Sequence, residues 1–138
     1  MKSKKLHIYT DGGSRGNPGP SGIGVIILDS NKKKIKEIFK YIGETTNNVA
    51  EYSALVSGLE AALELKATDI TIYLDSELLV KQLGGEYKVK DPNMKTFFDK
   101  SLGLLKKFKE FEVKHIPREK NKDADRLVNK AINLAGLF

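Results

Sequence analysis

Four acidic residues stand where an acid is costly to place. Asp11 and Asp75 each close an apolar strand pattern (LHIYTD and DITIYLD), and each is followed by a turn or a helix start. In open α/β sheets, ligands sit in the crevice beyond the carboxyl ends of the strands. Capping or closing a turn is the alternative role for either aspartate taken alone. Glu51 falls in line with Leu55, Gly58, Leu59 and Ala62, the inner side of a helical pattern, close to its start. A helix N-terminus favours an anion by only ~0.3–1 kcal/mol, which is less than burying an unpaired charge costs. Asp125 repeats the pattern, with Val128, Ile132 and Ala135 along one face of the last helix. Asp123, two residues earlier, is the capping candidate and is expected to be solvated.

Four convergent carboxylates with no lysine in line repel one another unless cations stand among them. Hard divalent ions with oxygen ligands, Mg²⁺ or Mn²⁺, suit such a set. The lack of an EF-hand loop argues against calcium storage, and zero cysteines with two histidines argue against zinc. Two ions about 4 Å apart form a clamp for in-line displacement at a phosphodiester. The reaction class is then phosphoryl transfer to water. Lys and Arg number 24 against 18 Asp and Glu, a formal charge of +6. That surplus favours polyanions through counterion release, a merely soluble lysine-rich surface being the other reading of charge alone.

These acids need elements to hold them. In residues 4–11, Leu6, Ile8 and Thr10 alternate with His7 and Tyr9 and predict a strand ending at Asp11. GGSRGNPGPSG, from Gly12 to Gly22, is a turn by composition. Residues 23–29 predict a nearly continuous apolar strand, Asn31 and its lysines a hairpin turn, and residues 35–43 a third strand. The period then changes: Val49, Tyr52, Leu55, Val56, Leu59, Ala62 and Leu63 predict an amphipathic helix over 48–65. Residues 69–75 predict a short buried strand, and SELLVKQL a helix stopped by Gly84 and Gly85. An irregular lysine-bearing connection (86–93), a helix (93–107), a strand (111–116) and a final helix from about 122 to 135 complete the order. A helix between the third and fourth strands lets the fourth join the sheet parallel to the first. The expected fold class is α/β: a mixed five-stranded sheet, three antiparallel strands plus two parallel, with helices on both faces.

A chain of 138 residues with a 40% hydrophobic fraction fits one domain spanning 1–138. The absence of cysteine suits a reducing cytoplasm. No apolar run approaches the ~20 residues of a membrane span. The lysine-led start carries no signal-peptide pattern.

The segments YTDGGSRGNPGPSG (9–22), TTNNVAEYSAL (45–55), IYLDSELLVKQL (72–83) and PREKNKDADRLVN (117–129), in this order, resemble type 1 ribonuclease H over nearly the whole chain. The resemblance implies a ribonuclease H-like fold and an endoribonuclease that hydrolyses the RNA strand of RNA–DNA hybrids with Mg²⁺ or Mn²⁺. It places Asp11, Glu51, Asp75 and Asp125 in the four metal-ligand positions. Of two ions in the substrate complex, one would activate the attacking water and the other stabilise the leaving 3′ oxygen, giving 5′-phosphate and 3′-hydroxyl ends. Asn17 and Asn48 resemble residues that reach sugars and base edges in the minor groove. Thr46 and Asn47 match positions near a DNA-phosphate pocket, and Gly12 joins the implied nucleic-acid-binding set. Turn chemistry and N-capping are the alternative roles, Asn47 being able to serve both. A hybrid differs from either pure duplex by carrying 2′-hydroxyls on one strand only.

His115 lies ten residues before Asp125, where the family often has a mobile histidine proposed to aid proton transfer or product release. Here it sits in KHIPRE, not in a glycine-flanked loop, and Arg118 is the alternative contact to phosphate. His7, mid-strand, is expected to be packed or on the surface. Glu77 stands where some relatives carry a glutamine that contacts the hybrid, and 84–93 lacks the tryptophan- and lysine-rich protrusion some relatives use. No hybrid-binding domain precedes the motifs. Binding is therefore expected in the micromolar range and strongly salt-sensitive. The expected partner is an RNA–DNA hybrid, with no membrane, no obligate protein partner, and a monomeric chain. The start at Met1 and the complete final helix favour a stand-alone enzyme over a domain of a reverse transcriptase. Two other functions stay open: a same-fold nuclease that also cuts double-stranded RNA, and a non-catalytic nucleic-acid-binding module. The full set of four acids weighs against the module.

Overall fold

The computed structural model describes residues 2–137. Strands β1 (Lys5–Ser14), β2 (Gly19–Leu28) and β3 (Lys34–Thr45) form an antiparallel meander. Helix α1 (Asn47–Glu64) then crosses over to β4 (Asp69–Leu74), which pairs parallel to β1 from Lys5↔Asp69 to Tyr9↔Tyr73. Helices α2 (Glu77–Leu83) and α3 (Pro92–Leu105) lead to β5 (Glu110–His115), parallel to β4, and α4 (Lys122–Ala135) closes the fold. The sheet order is β3-β2-β1-β4-β5, the mixed five-stranded arrangement expected.

The inner strands read as apolar runs because both of their faces are covered. On one face, Leu6, Ile8, Val25 and Ile27 of the sheet meet Tyr52, Leu55 and Leu59 of α1, with Leu105 of α3 behind them. Each such side chain contributes roughly 1.5–3 kcal/mol on burial. The other face is covered by α4 through its buried Leu127, Val128, Ala131 and Ile132. The two helices that carry the acids Glu51 and Asp125 therefore grip the same strands from opposite sides.

Segment 12–22 departs from the expected turn. β1 runs on through Ser14 and β2 begins at Gly19, leaving only 15–18 as the turn. Gly12↔Ile23 and Gly13↔Gly22 are ordinary ladder partners. Glycine there marks a close approach of neighbouring backbone, one of its uses inside strands. The third helix starts one residue earlier than expected, because Asp91 accepts from the N–H groups of Asn93 (2.8 Å) and Met94 (3.2 Å) and Pro92 enters the first turn. No described helix is long and apolar enough to cross a membrane.

Candidate active site

The site begins where two parallel strands part. β4 stops pairing with β1 at Tyr73, while β1 continues against β2, with Asp11 opposite Gly24. Asp11 thus lies just beyond that parting, inside a strand and not at its end as the sequence suggested. Asp75 is the first residue past β4.

Two glycines bring the helices in. A Cβ on Gly12 would stand 2.1 Å from the Ala50 carbonyl oxygen, so only glycine allows β1 to touch α1 there. That contact sets Glu51 beside Asp11, where the Gly12 N–H favours the charged form of the Glu51 carboxyl. A Cβ on Gly24 would stand 2.2 Å from the Ala124 carbonyl oxygen, so α4 rests on the sheet at the residue before Asp125. The sequence motifs included Gly12; Gly24, inside an apolar strand, carried no signal.

Asp11, Glu51 and Asp75 each offer an oxygen, and these three atoms lie within 4.8 Å of one another. Asp125 neighbours Asp11 but stands outside that triad. Asp11 is 6% exposed and Glu51 5%, whereas Asp75 and Asp125 are half-buried. The expectation of four acids on inner faces is corrected to two buried acids with two at the rim, because neither rim position has a neighbour fully covering it. Burial pushes the Asp11 carboxyl up to about 7, with repulsion from Asp75 and Asp125 adding to it and a hydrogen bond with Glu51 opposing. Burial, then the charges of Asp11 and Asp75, hold Glu51 well above the usual carboxylate range against the Gly12 N–H. Among the described residues, no lysine or arginine forms an ion pair with any of the four. An all-oxygen donor set that the protein leaves unneutralised fits a hard divalent cation.

One residue of this site was not singled out by sequence. Asn121, 2% exposed, donates from Nδ2 to the Thr10 carbonyl and to Asp75 Oδ2, both at 2.9 Å. It is also the N-cap of α4, the position expected of Asp123, which instead points to solvent 3.9 Å from Arg126. An asparagine before a helix looks like a cap in any sequence, so no local signal marks its second role.

The implied substrate contacts gather at the start of α1. Asn17 Oδ1 accepts from the Asn47 N–H at 3.0 Å, tying the 15–18 turn to the helix. Thr46, not Asn47, is the N-cap, its Oγ1 accepting from Val49 N–H at 3.3 Å. Asn48 follows, half-buried, and Gly12 lies beneath against Ala50. His115 is exposed at the end of β5, beside Leu74 and so one residue along from Asp75. Arg118 is exposed on a single 3₁₀ turn, 118–120. Glu77 pairs with Lys81 at 2.8 Å, and that lysine pulls its carboxyl below the usual range. His7 is packed, its Nδ1 2.8 Å from the Tyr73 hydroxyl.

A family described as reverse transcriptase-like matches residues 9–131. A bifunctional protein of Mycobacterium tuberculosis is 40% identical over 132 residues, which is 95% of this chain and 36% of that protein. The chain thus spans about a third of the length of its mycobacterial relatives. The RNase H1 structure from Halobacterium salinarum superposes with a TM-score of 0.91 at 39% identity, covering 94% of this chain and 98% of that one. LC11-RNase H1, solved in complex with an RNA/DNA hybrid, superposes with a TM-score of 0.88 at 48% identity over 94% of this chain and 98% of its own.

Proposed function

The chain belongs to the type 1 ribonuclease H family, and from that premise we propose that it is an endoribonuclease hydrolysing the RNA strand of RNA–DNA hybrids. The products are 5′-phosphate and 3′-hydroxyl ends. The observation that carries this reading is the close, unneutralised triad of Asp11, Glu51 and Asp75, with Asp125 beside it. A relative solved on an RNA/DNA hybrid and the chain's own +6 charge support the substrate.

The four acids would hold Mg²⁺ or Mn²⁺, two ions in the substrate complex. Held by these acids, such ions would supply acidification of the attacking water and charge stabilisation at the leaving oxygen. The chain's own residues supply the rest. Asn121 fixes Asp75, and the Gly12 N–H favours the charged form of Glu51. Asn17, Thr46, Asn47 and Asn48 face the two strands at the start of α1, and Gly12, buried against Ala50 beneath them, supports that surface. His115, at the end of β5, and Arg118, three residues past it, stand where proton transfer or a phosphate contact is within their scope. Replacing each by alanine separately decides between them: the residue that assists lowers turnover about tenfold or more.

The 138 residues act as one domain, since a single sheet and its helices supply all four acids. The working state is a monomer in the cytoplasm, the cysteine-free composition suiting a reducing compartment. The test is incubation with labelled hybrid, double-stranded RNA and double-stranded DNA, each with Mg²⁺, Mn²⁺ or chelator. Cleavage of hybrid alone, abolished by chelator, is the expected result. Equal cleavage of double-stranded RNA, or hybrid binding without cleavage, overturns it.

A further inference from the structure

Asn121 is placed against its own local stability. Asparagine at an N-cap ordinarily turns its oxygen back onto the free N–H groups of the first helical turn. Here it makes no such bond. Its amide instead reaches outward, donating to the Thr10 carbonyl and to Asp75 Oδ2, both at 2.9 Å. The carbonyl, and the carboxylate when ionised, can only accept, so the amide nitrogen must face them and the amide cannot be turned round. The consequence is that Oδ1 is buried without a partner. An unmade cap and a buried unpaired oxygen are both destabilising and both uncommon. They coincide on the side chain that holds a carboxylate of the triad.

We propose that Asn121 is a positioning residue that keeps three of the four acids in mutual register. Through Thr10 it holds the backbone adjoining Asp11. Through Oδ2 it holds Asp75. Its own carbonyl accepts from the Asp125 N–H at 3.1 Å, so the helix that carries the third acid starts from the same residue. The inference rests on reading the acids as metal ligands, and it gives Asn121 the part of an outer partner that orients one of them.

The experiment compares the wild-type chain with Asn121→Asp, the same size without a donor at neutral pH, and Asn121→Ser, able to cap but with its hydroxyl one bond nearer the backbone. Mn²⁺ alone is titrated by electron paramagnetic resonance, melting is followed without metal, and kcat and KM are measured on hybrid with Mg²⁺. Loss of an outer partner lowers metal affinity or activity about 10–100-fold. Both variants are therefore expected to bind Mn²⁺ about tenfold more weakly and to lose at least about tenfold in kcat, with KM for hybrid held within about twofold. Asn121→Ser is expected to melt close to wild type, which separates positioning from a purely structural role. Wild-type Mn²⁺ affinity and kcat in either folded variant overturn the proposal, as do losses that appear only where melting shows unfolding. If the wild-type chain binds Mn²⁺ but leaves hybrid uncut, the substrate reading fails and the titration still decides the role of Asn121. A wild-type chain that binds no Mn²⁺ overturns both.

Discussion

The starts of α1 and α4 solve one problem in two ways. Each helix is drawn onto the sheet by a glycine that admits its backbone, and each delivers an acid to Asp11. At α1 the terminus is well satisfied: Thr46 caps Val49 and Asn17 accepts from Asn47. Its acid, Glu51, is buried above a continuous apolar face. At α4 the cap is unmade, the N-cap side chain serves Asp75, and the acid is half-exposed. The α1 terminus therefore couples its acid to the stability of the whole domain. The α4 terminus couples its acid mainly to the site, and damage there should show in activity before it shows in folding.

The largest expected effect lies at the buried pair. Asp11→Asn or Glu51→Gln removes a carboxylate that would hold the cation, and hybrid cleavage should fall by about 10³-fold or more. The same variants should melt higher than wild type without metal, since each deletes a buried like-charge repulsion. Lower activity with a lower metal-free melting temperature would mean these carboxylates are structural. Next come the two glycines. Gly12→Ala forces a Cβ to 2.1 Å from Ala50 O in a helix that the core holds fast, so the domain should lose several kcal/mol, roughly the large end of single-site effects. Gly24→Ala meets Ala124 O at 2.2 Å at the looser helix. There the chain should stay folded while displacement of Asp125 costs about 10²-fold in kcat. Equal losses of stability in both variants would erase the distinction between the termini.

What could be read without coordinates follows the same division. The stripe through Leu55, Leu59 and Ala62 exposes α1 and the odd position of Glu51, because period and burial are local properties. The apolar run into Asp75 likewise marks a covered strand that ends at an acid. Gly12 to Gly22 misled, because turn composition and close packing of a strand against helices use the same residues; only the pairing with β2 separates them. Periodicity also reports which face a residue occupies and not how far a neighbour covers it, so Asp75 and Asp125 at the rim were indistinguishable from buried acids. Asn121 could not be found at all. Its bonds reach Thr10 and Asp75, contacts that exist only once β1, β4 and α4 are assembled.

A smaller effect distinguishes the buried pair by pH. The Asp11 carboxyl rises from 3.8 to about 7 on folding without metal. Between those values the folded chain holds a proton that the unfolded chain has released. Stability is therefore highest below about 4 as far as this group is concerned, and falls as pH rises toward 7, by about 1.4 kcal/mol per pH unit for each such proton. Urea melts of metal-free protein from pH 5 to pH 8 should show that decline, and saturating Mg²⁺ should flatten it. A metal-free stability that climbs over this range would place the ionised acids beside a positive partner of the protein's own. Asp11→Asn should make the decline shallower and leave the part carried by Glu51, which burial also holds above the usual carboxylate range.

The smallest expected effect tests whether the well-satisfied terminus is also part of the substrate surface. Thr46→Ala removes the oxygen that accepts from Val49 N–H and should destabilise the chain by about 1 kcal/mol, while Thr46→Ser keeps that oxygen and should cost less. If the same hydroxyl also meets a phosphate, Thr46→Ala should raise KM for hybrid a few-fold and reduce the dependence of binding on salt only slightly, because a neutral hydroxyl releases no counterion. Thr46→Ser should then restore both stability and KM. A Thr46→Ala chain with lower stability and an unchanged KM would confine Thr46 to capping, and the start of α1 would be a stability device that merely borders the substrate. The contrast with α4 would then be sharper, since only the poorly capped terminus would be built around the reaction.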